Sequence, residues 1–328
     1  MKSVLDENGL IRNLETAELK KLVNDEADAY ISLLFKDKYP PTKRLIHLFD
    51  RVKRLTVIIA VDLYAEICKS DFIPSFFEMG IGEKNNPVLP PYEIKLNDGS
   101  SVSFSGVVDR VDLFKKDDKV YVRVIDYKTG TKKFNIDDIK QGLNLQMLIY
   151  LFAICNSNSE KLRKKINAES AVEFKPAGIT YISTNVSPKK TSRNISEEEI
   201  IDMVSKKFTR EGLILNDEEI LTALNKDIDK RYLAGIERVT SKSKKDTAPA
   251  FTGNALTTTE RFDEIKKQIT DTLTDIIGEL ASGNASISPM LDQKPCKYCK
   301  MKQFCRVELS DVQRIEDDDN SDDDEYDN

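Results

Sequence analysis

The stretch from Gly106 to Tyr150, GVVDRVDLFKKDDKVYVRVIDYKTGTKKFNIDDIKQGLNLQMLIY, constrains the fold more than any other part of the chain. Val120, Val122 and Val124 alternate with Tyr121, Arg123 and Ile125, the period-two pattern of a strand, and Asp126 and Lys128 continue it to a Thr129-Gly130 break. Asp126 and Lys128 therefore project from one face of that strand. Ser101 to Leu113 also alternates and is rich in β-branched residues, which predicts an antiparallel neighbour carrying Asp109, joined through the polar turn Lys115 to Lys119. After the break, Ile136 to Ile154 reads as a helix with Leu143, Met147, Ile149 and Tyr150 among its apolar positions. Gln146 and Tyr150, four residues apart, share one side of it.

Asp109, Asp126 and Lys128 converge in this reading. Two carboxylates at a strand end suit a hard Mg²⁺ or Mn²⁺ ion, which takes oxygen ligands and keeps water or a phosphate oxygen in its shell. The compact ammonium of Lys128 suits a role in orienting that water or offsetting charge that develops on a phosphate. An isolated D-x-K is more often a pair of solvated charges on a hairpin; the ordered company of the other residues is what favours a site.

The order G-x-x-D-R-x-D, then D-Y-K-T-G, then Q-x-x-x-Y resembles the RecB-like branch of the PD-(D/E)xK nucleases, and within it the AddB component of the AddAB helicase-nucleases. The resemblance implies an α/β, restriction-endonuclease-like core with a mixed central sheet flanked by helices, helical additions and a C-terminal cysteine cluster. It implies that Asp109 and Asp126 bind the metal, that the Tyr127 carbonyl joins the shell, that Lys128 is catalytic, and that Gln146 and Tyr150 line the DNA side. The implied activity is that of an exonuclease-type, Mg²⁺-dependent deoxyribonuclease acting on a single-stranded end that emerges from a helicase, within a helicase-nuclease complex that processes double-strand breaks. Two alternatives stand beside it: a stand-alone RecB-like exonuclease of the CRISPR-adaptation type, and a catalytically inactive DNA-guiding or partner-binding module.

With 328 residues the chain is long enough to bury a full core, and its sequence has neither an apolar run of 18 or more nor a signal-peptide pattern at its start. A cytoplasmic protein without a membrane partner is expected. The net charge of -6 is a poor guide to partners, because Ser310 to Asn328 hold ten acidic residues against Arg314 alone. Residues 1 to 309 keep 49 basic against 46 acidic residues, a net +3, which permits contact with DNA. The expected divisions are a helical N-terminal part, 1–90, a nuclease core with the cysteine segment, 91–308, and a disordered acidic tail, 309–328.

Upstream of the core, the helical spacing of Leu45, Leu48, Phe49, Val52, Leu55, Ile58 and Ile59 predicts a long helix over Pro41 to Cys68, with a second helical segment near Leu19. His47, the single histidine, sits in that run and is read as structural, since it lacks the G-x-x-x-H context of the family's active-site histidine. Pro87, Pro90 and Pro91 predict a connector, with the sheet starting after it. Ala177 to Val186 predicts another strand of the same sheet, Ser196 to Phe208 and Asp217 to Leu224 predict helices, and Val239 to Thr252 predicts a loop. Thr257 to Leu280 predicts a helix with Thr257 and Glu260 as a capping box and a stripe of Phe262, Ile265, Ile269, Leu273, Ile276 and Leu280. There is no G-x-x-x-x-G-K-[ST] phosphate loop, so an ATP-driven motor is not expected in this chain.

Cys296, Cys299 and Cys305 form C-x2-C-x5-C, a spacing that suits thiolate ligands of zinc or iron without distinguishing them. The resemblance implies a [4Fe-4S] cluster that closes with one further cysteine upstream of the core. No cysteine precedes Cys68. The chain is therefore expected to be a C-terminal piece of a longer protein, with the cluster incomplete in it. Cys155 is read as core packing.

Overall fold

A computed structural model describes residues 5–6, 9–11, 13–36, 42–82, 87–95, 99, 101–130, 133–165, 172–184, 199, 208, 210–228, 232–239, 251–284, 286, 296 and 299–305. The chain opens with a short antiparallel pair, β1 (Leu5–Asp6) and β2 (Gly9–Leu10), followed by two helices, α1 (Thr16–Leu34) and α2 (Lys43–Cys68). Thr42 caps α2 by accepting a hydrogen bond from the Leu45 N–H. Leu19 of α1 and Tyr64 of α2 bury against each other, and the Tyr64 hydroxyl donates to the Ile11 carbonyl at 2.6 Å, which ties the leading segment to α2.

Strand β3 (Ile73–Ile81) comes next, then the hairpin of β4 (Tyr92–Lys95) and β5 (Ser101–Phe104), then the long pair β6 (Gly106–Lys116) and β7 (Lys119–Lys128). A short 3-10 turn, Ile136–Gln141, precedes α3 (Gln146–Cys155) and α4 (Glu160–Lys165). The remainder is β8 (Glu173–Ser183), β9 (Glu211–Leu215), α5 (Glu218–Leu224), the pair β10 (Glu237–Arg238) and β11 (Phe251–Thr252), β12 (Leu256–Thr257), α6 (Thr259–Ala281) and α7 (Lys302–Cys305). Among the described residues, six strands form the central sheet in the order β12-β9-β8-β7-β6-β3. The β7–β8 and β9–β12 pairings are parallel and the rest antiparallel, so the sheet is mixed, as expected. The chain divides into two compact units, 1–274 and 275–328.

Several local expectations are corrected. The sheet starts before the proline connector, because β3 pairs along β6. Its period-two pattern is masked by a register shift between Pro74 and Phe76 and by Glu78 at φ +50°. Ser101 to Leu113 is two strands that belong to different sheets, parted at Ser105. The helix expected over Ile136 to Ile154 is split: Gly142 (φ +73°) and Asn144 (φ +59°) turn the chain between the 3-10 turn and α3. In α6 the cap is Thr258, whose hydroxyl accepts from the Arg261 N–H, while Thr257 is buried in β12. Its buried stripe is Phe262, Ile265, Ile269 and Leu273, with Ile276 and Leu280 exposed. α5 lies where the sequence puts it, capped by Asp217, whereas β8 overlaps the strand expected over Ala177 to Val186 but already starts at Glu173 and ends at Ser183. Ser196 to Phe208 and Val239 to Thr252 lie largely outside the described residues, as does the acidic tail.

Candidate active site

The site forms where β7 parts from β6. The β6–β7 ladder runs from the Lys116–Lys119 pair to the Arg110–Ile125 pair and ends there, whereas the β7–β8 ladder continues through Asp126–Tyr181 to Lys128–Ser183. Beyond the fork, the Tyr127 N–H donates to Asp109 Oδ2 at 2.9 Å, so a side-chain carboxylate replaces the missing ladder bond. The C-terminal end of β7 is fastened to β8 instead, through Thr184 N–H to the Lys128 carbonyl at 2.8 Å. Lys128 Nζ lies 2.7 Å from Asp126 Oδ2, with the lysine side chain 37% exposed and the aspartate 12%. The spacing i, i+2 that the sequence offered is thus realised as a direct ion pair on one face of the strand. Ile125 and Tyr127 point the other way, into a cluster with Leu63 of α2 and Ile182 of β8. Asp126 and Lys128 consequently face away from α2.

Asp126, Tyr181 and Glu211 stand in register across β7, β8 and β9. Burial and the neighbouring Asp126 charge push the Tyr181 phenol up. Burial also pushes the Glu211 carboxyl up, with Lys133 and the Phe134 N–H pulling it back. Phe134 stacks on Tyr181, ring centroids 6.3 Å apart, so the segment after the Gly130 break is folded back over this row. α3 packs on β7 and β8. On it Gln146 Nε2 donates to the Tyr150 hydroxyl at 3.1 Å, and that hydroxyl lies against Gly106 at the start of β6.

Sequence reasoning missed the residues behind this face. Arg110 is buried and grips Asp112 with two bonds of 2.6 Å while donating to the Tyr127 hydroxyl at 3.1 Å. Arg123 donates to Thr180 and to Glu66 Oε1, each at 3.0 Å, and Arg210 donates to Glu66 Oε2 and to Asp62 Oδ2 at 2.6 Å. The Tyr232 hydroxyl adds a bond to Glu66 Oε1 at 3.0 Å. Burial alone pushes the Glu66 carboxyl up, but Arg210, Arg123 and Arg110 outweigh it and hold the group at about 2. A sequence signal existed: Arg123 interrupts a valine-rich strand and Glu66 an apolar helix face, and charges at such positions need partners. The second aspartate of D-R-x-D belongs to this network, whereas the first belongs to the site.

His47 is exposed on α2. Cys68 packs beside the Leu19–Tyr64 cluster, and burial pushes the thiol of Cys155, a half-buried residue, up. Cys296 and Cys305 are half-buried and Cys299 is exposed. Among the described residues no group of three or more His, Cys, Asp or Glu side chains is gathered so as to hold a metal ion. Cys296, Cys299 and Cys305 are thus not gathered as a ligand set. Asp109 and Asp126 do fit a hard divalent ion, because such an ion takes one or two carboxylates and completes its shell with carbonyl, water and phosphate oxygens. Among the described residues no helix is long and apolar enough to cross a membrane.

The fold and the fork define a class, and the chain belongs to it: residues 8–306 match the PD-(D/E)XK nuclease superfamily. Within that class the chain is similar to the B component of the ATP-dependent helicase/deoxyribonuclease of Thermoanaerobacter sp., with 35% identity over 264 residues that make up 79% of this chain and 22% of that protein. The proteins of the same name from Clostridium kluyveri and Clostridium botulinum are 31% and 30% identical over 82% and 94% of this chain, and over 22% and 25% of their own lengths. The chain thus spans about a quarter of the length of these curated relatives.

Proposed function

We propose that this chain is the DNA-cutting part of a helicase-nuclease complex and hydrolyses phosphodiester bonds in single-stranded DNA by a metal-activated water. The observation that carries the reading is the β6–β7 fork, where Asp126 pairs with Lys128 at 2.7 Å and Asp109 is fastened to the N–H of Tyr127, the residue between them. Membership of the nuclease superfamily and the helicase/deoxyribonuclease naming of the relatives support it. Asp109 and Asp126, with the Tyr127 carbonyl, would hold Mg²⁺ or Mn²⁺, and a bound ion would supply Lewis-acid activation of water and neutralise phosphate charge. The protein's own share is placement. The Tyr127 N–H fixes the Asp109 carboxylate, the β8 ladder fixes Asp126, and Lys128 brings a donor to the edge where a phosphate oxygen or water nucleophile would sit. Gln146 and Tyr150 provide a polar ledge for the strand being cut.

The partner is a helicase-bearing subunit, the reaction exonucleolytic, and the setting the processing of double-strand breaks. The test is cleavage of end-labelled single-stranded DNA by the purified chain, alone and combined with a helicase subunit, in Mg²⁺ and in EDTA. Metal-dependent release of short products is expected. No cleavage under either condition, with the chain folded, overturns the reading.

A further inference from the structure

We propose that Gly106 is a positioning residue: its missing side chain is what lets the Tyr150 phenol, steadied by Gln146, lie across the start of the strand that carries Asp109. The proposal deepens the nuclease reading and rests on it, since it makes the first residue of G-x-x-D responsible for seating the last residue of Q-x-x-x-Y.

Gly106 opens β6 and pairs with Ile81, the last residue of β3, and in a strand glycine is ordinarily the poorer choice because it costs chain entropy and packs nothing. Its backbone does not require glycine, for its φ lies outside the left-handed region. Space is what requires it. A Cβ at 106 would overlap the Tyr150 hydroxyl and lie 3.0 Å from Cζ and 3.1 Å from Cε1 of the same ring. Gly130, the other glycine of these motifs, differs: a Cβ there meets nothing within 4 Å. The phenol is a rigid ring on a helix that packs against β7 and β8, so it makes room only by turning the whole side chain out of its place. The hydroxyl at Gly106 is also the atom that accepts from Gln146 Nε2 at 3.1 Å, so displacing it undoes the pairing of the two ledge residues. Gly106 stands three residues before Asp109, and the contact therefore fixes α3 against the acidic strand.

The experiment is a double-mutant cycle on the whole chain with Gly106→Ala, Tyr150→Phe and the two combined, and Gly130→Ala as control. Cleavage rate and KM are measured in Mg²⁺, single-stranded DNA affinity in Ca²⁺, and thermal midpoint in each. Gly106→Ala should lower the cleavage rate about tenfold or more and the midpoint by roughly 2–6 °C. Tyr150→Phe should cost only about two- to threefold in rate, the worth of one hydroxyl that bonds only in part to substrate. The combined variant should recover most of the way to the level of Tyr150→Phe in rate, affinity and midpoint, because the severe overlap goes with the hydroxyl and the ring carbons at 3.0 and 3.1 Å need give by only a few tenths of an ångström. Gly130→Ala should match the parent. Losses that multiply in the combined variant, or a Gly106→Ala chain that equals the parent, overturn the proposal. A folded parent that cuts no DNA sinks the nuclease reading instead, and the affinity and midpoint arms of the cycle then decide whether Gly106 seats Tyr150.

Discussion

The two faces of β6 and β7 treat charge in opposite ways. Towards α2, Arg110, Arg123 and Arg210 meet Asp62, Glu66 and Asp112 in a closed and charge-balanced network, with Tyr127, Thr180 and Tyr232 taking up further donors and acceptors. On the opposite face, Asp126 and Lys128 form a pair at an open edge, and Asp109 is held by one backbone N–H from the next strand. Burying three guanidinium groups is tolerable only when each is matched, because the desolvation cost of an unmatched ion is several kcal/mol. At a reactive edge the demand is reversed: groups must stay available to a metal, a water or a phosphate, and the fold must hold them there by other means. The buried network supplies those means. It anchors Tyr127 through Arg110, and Tyr127 in turn offers its N–H to Asp109.

The largest expected effect falls on the open face. Asp126→Ala or Lys128→Ala should abolish Mg²⁺-dependent cleavage of single-stranded DNA, a loss of about a thousandfold or more, equivalent to about 4 kcal/mol of transition-state stabilisation. The thermal midpoint should stay within roughly 2 °C of the parent, since the partly exposed lysine is screened by solvent and the aspartate's removal relieves desolvation. Variants that cut at the parent rate would remove these residues from the site.

Next is the closed face, where Glu66→Ala takes from Arg123 its close carboxylate partner and leaves Arg210 only Asp62. A loss of about 3–5 kcal/mol in urea-denaturation stability is expected. A loss under about 1 kcal/mol would mean that water enters the network, and the contrast between the faces would fail.

The same carboxylate sets an acid limb. Its value is lowered from 4.5 to about 2, so the stability it contributes is fully present above about pH 4.5 and is lost as the pH falls towards 2. Denaturation midpoints measured between those pH values should reveal about 3 kcal/mol of this dependence, and Glu66→Gln should flatten it.

The smallest effect concerns the ledge. Replacing Gln146 and Tyr150 together by alanine should weaken DNA processing about tenfold, roughly 1.4 kcal/mol, and stability by less. A midpoint that falls in step with activity would mark them as packing residues and move them to the closed face of the comparison.

Sequence alone determined a good deal here, because strand alternation is a local rule. The run Val120 to Lys128 announces which residues share a face, and the β6–β7 hairpin, the placement of Asp109 on the neighbouring strand and the addition of β8 follow from composition and turn chemistry over a few residues. The pairing of Gln146 with Tyr150 follows from helical spacing in the same way. Where the backbone breaks its own period, the sequence misleads: β3 hides behind a register shift and Glu78 at positive φ, and the helix before Gln146 dissolves at Gly142 and Asn144. The fork between β6 and β7, the network closed by Glu66 and Arg210, and the seating of Tyr150 on Gly106 were decided only by the tertiary structure. Each joins residues far apart in the chain, and what selects such contacts is the need to match buried charge and fill space, which no local pattern records.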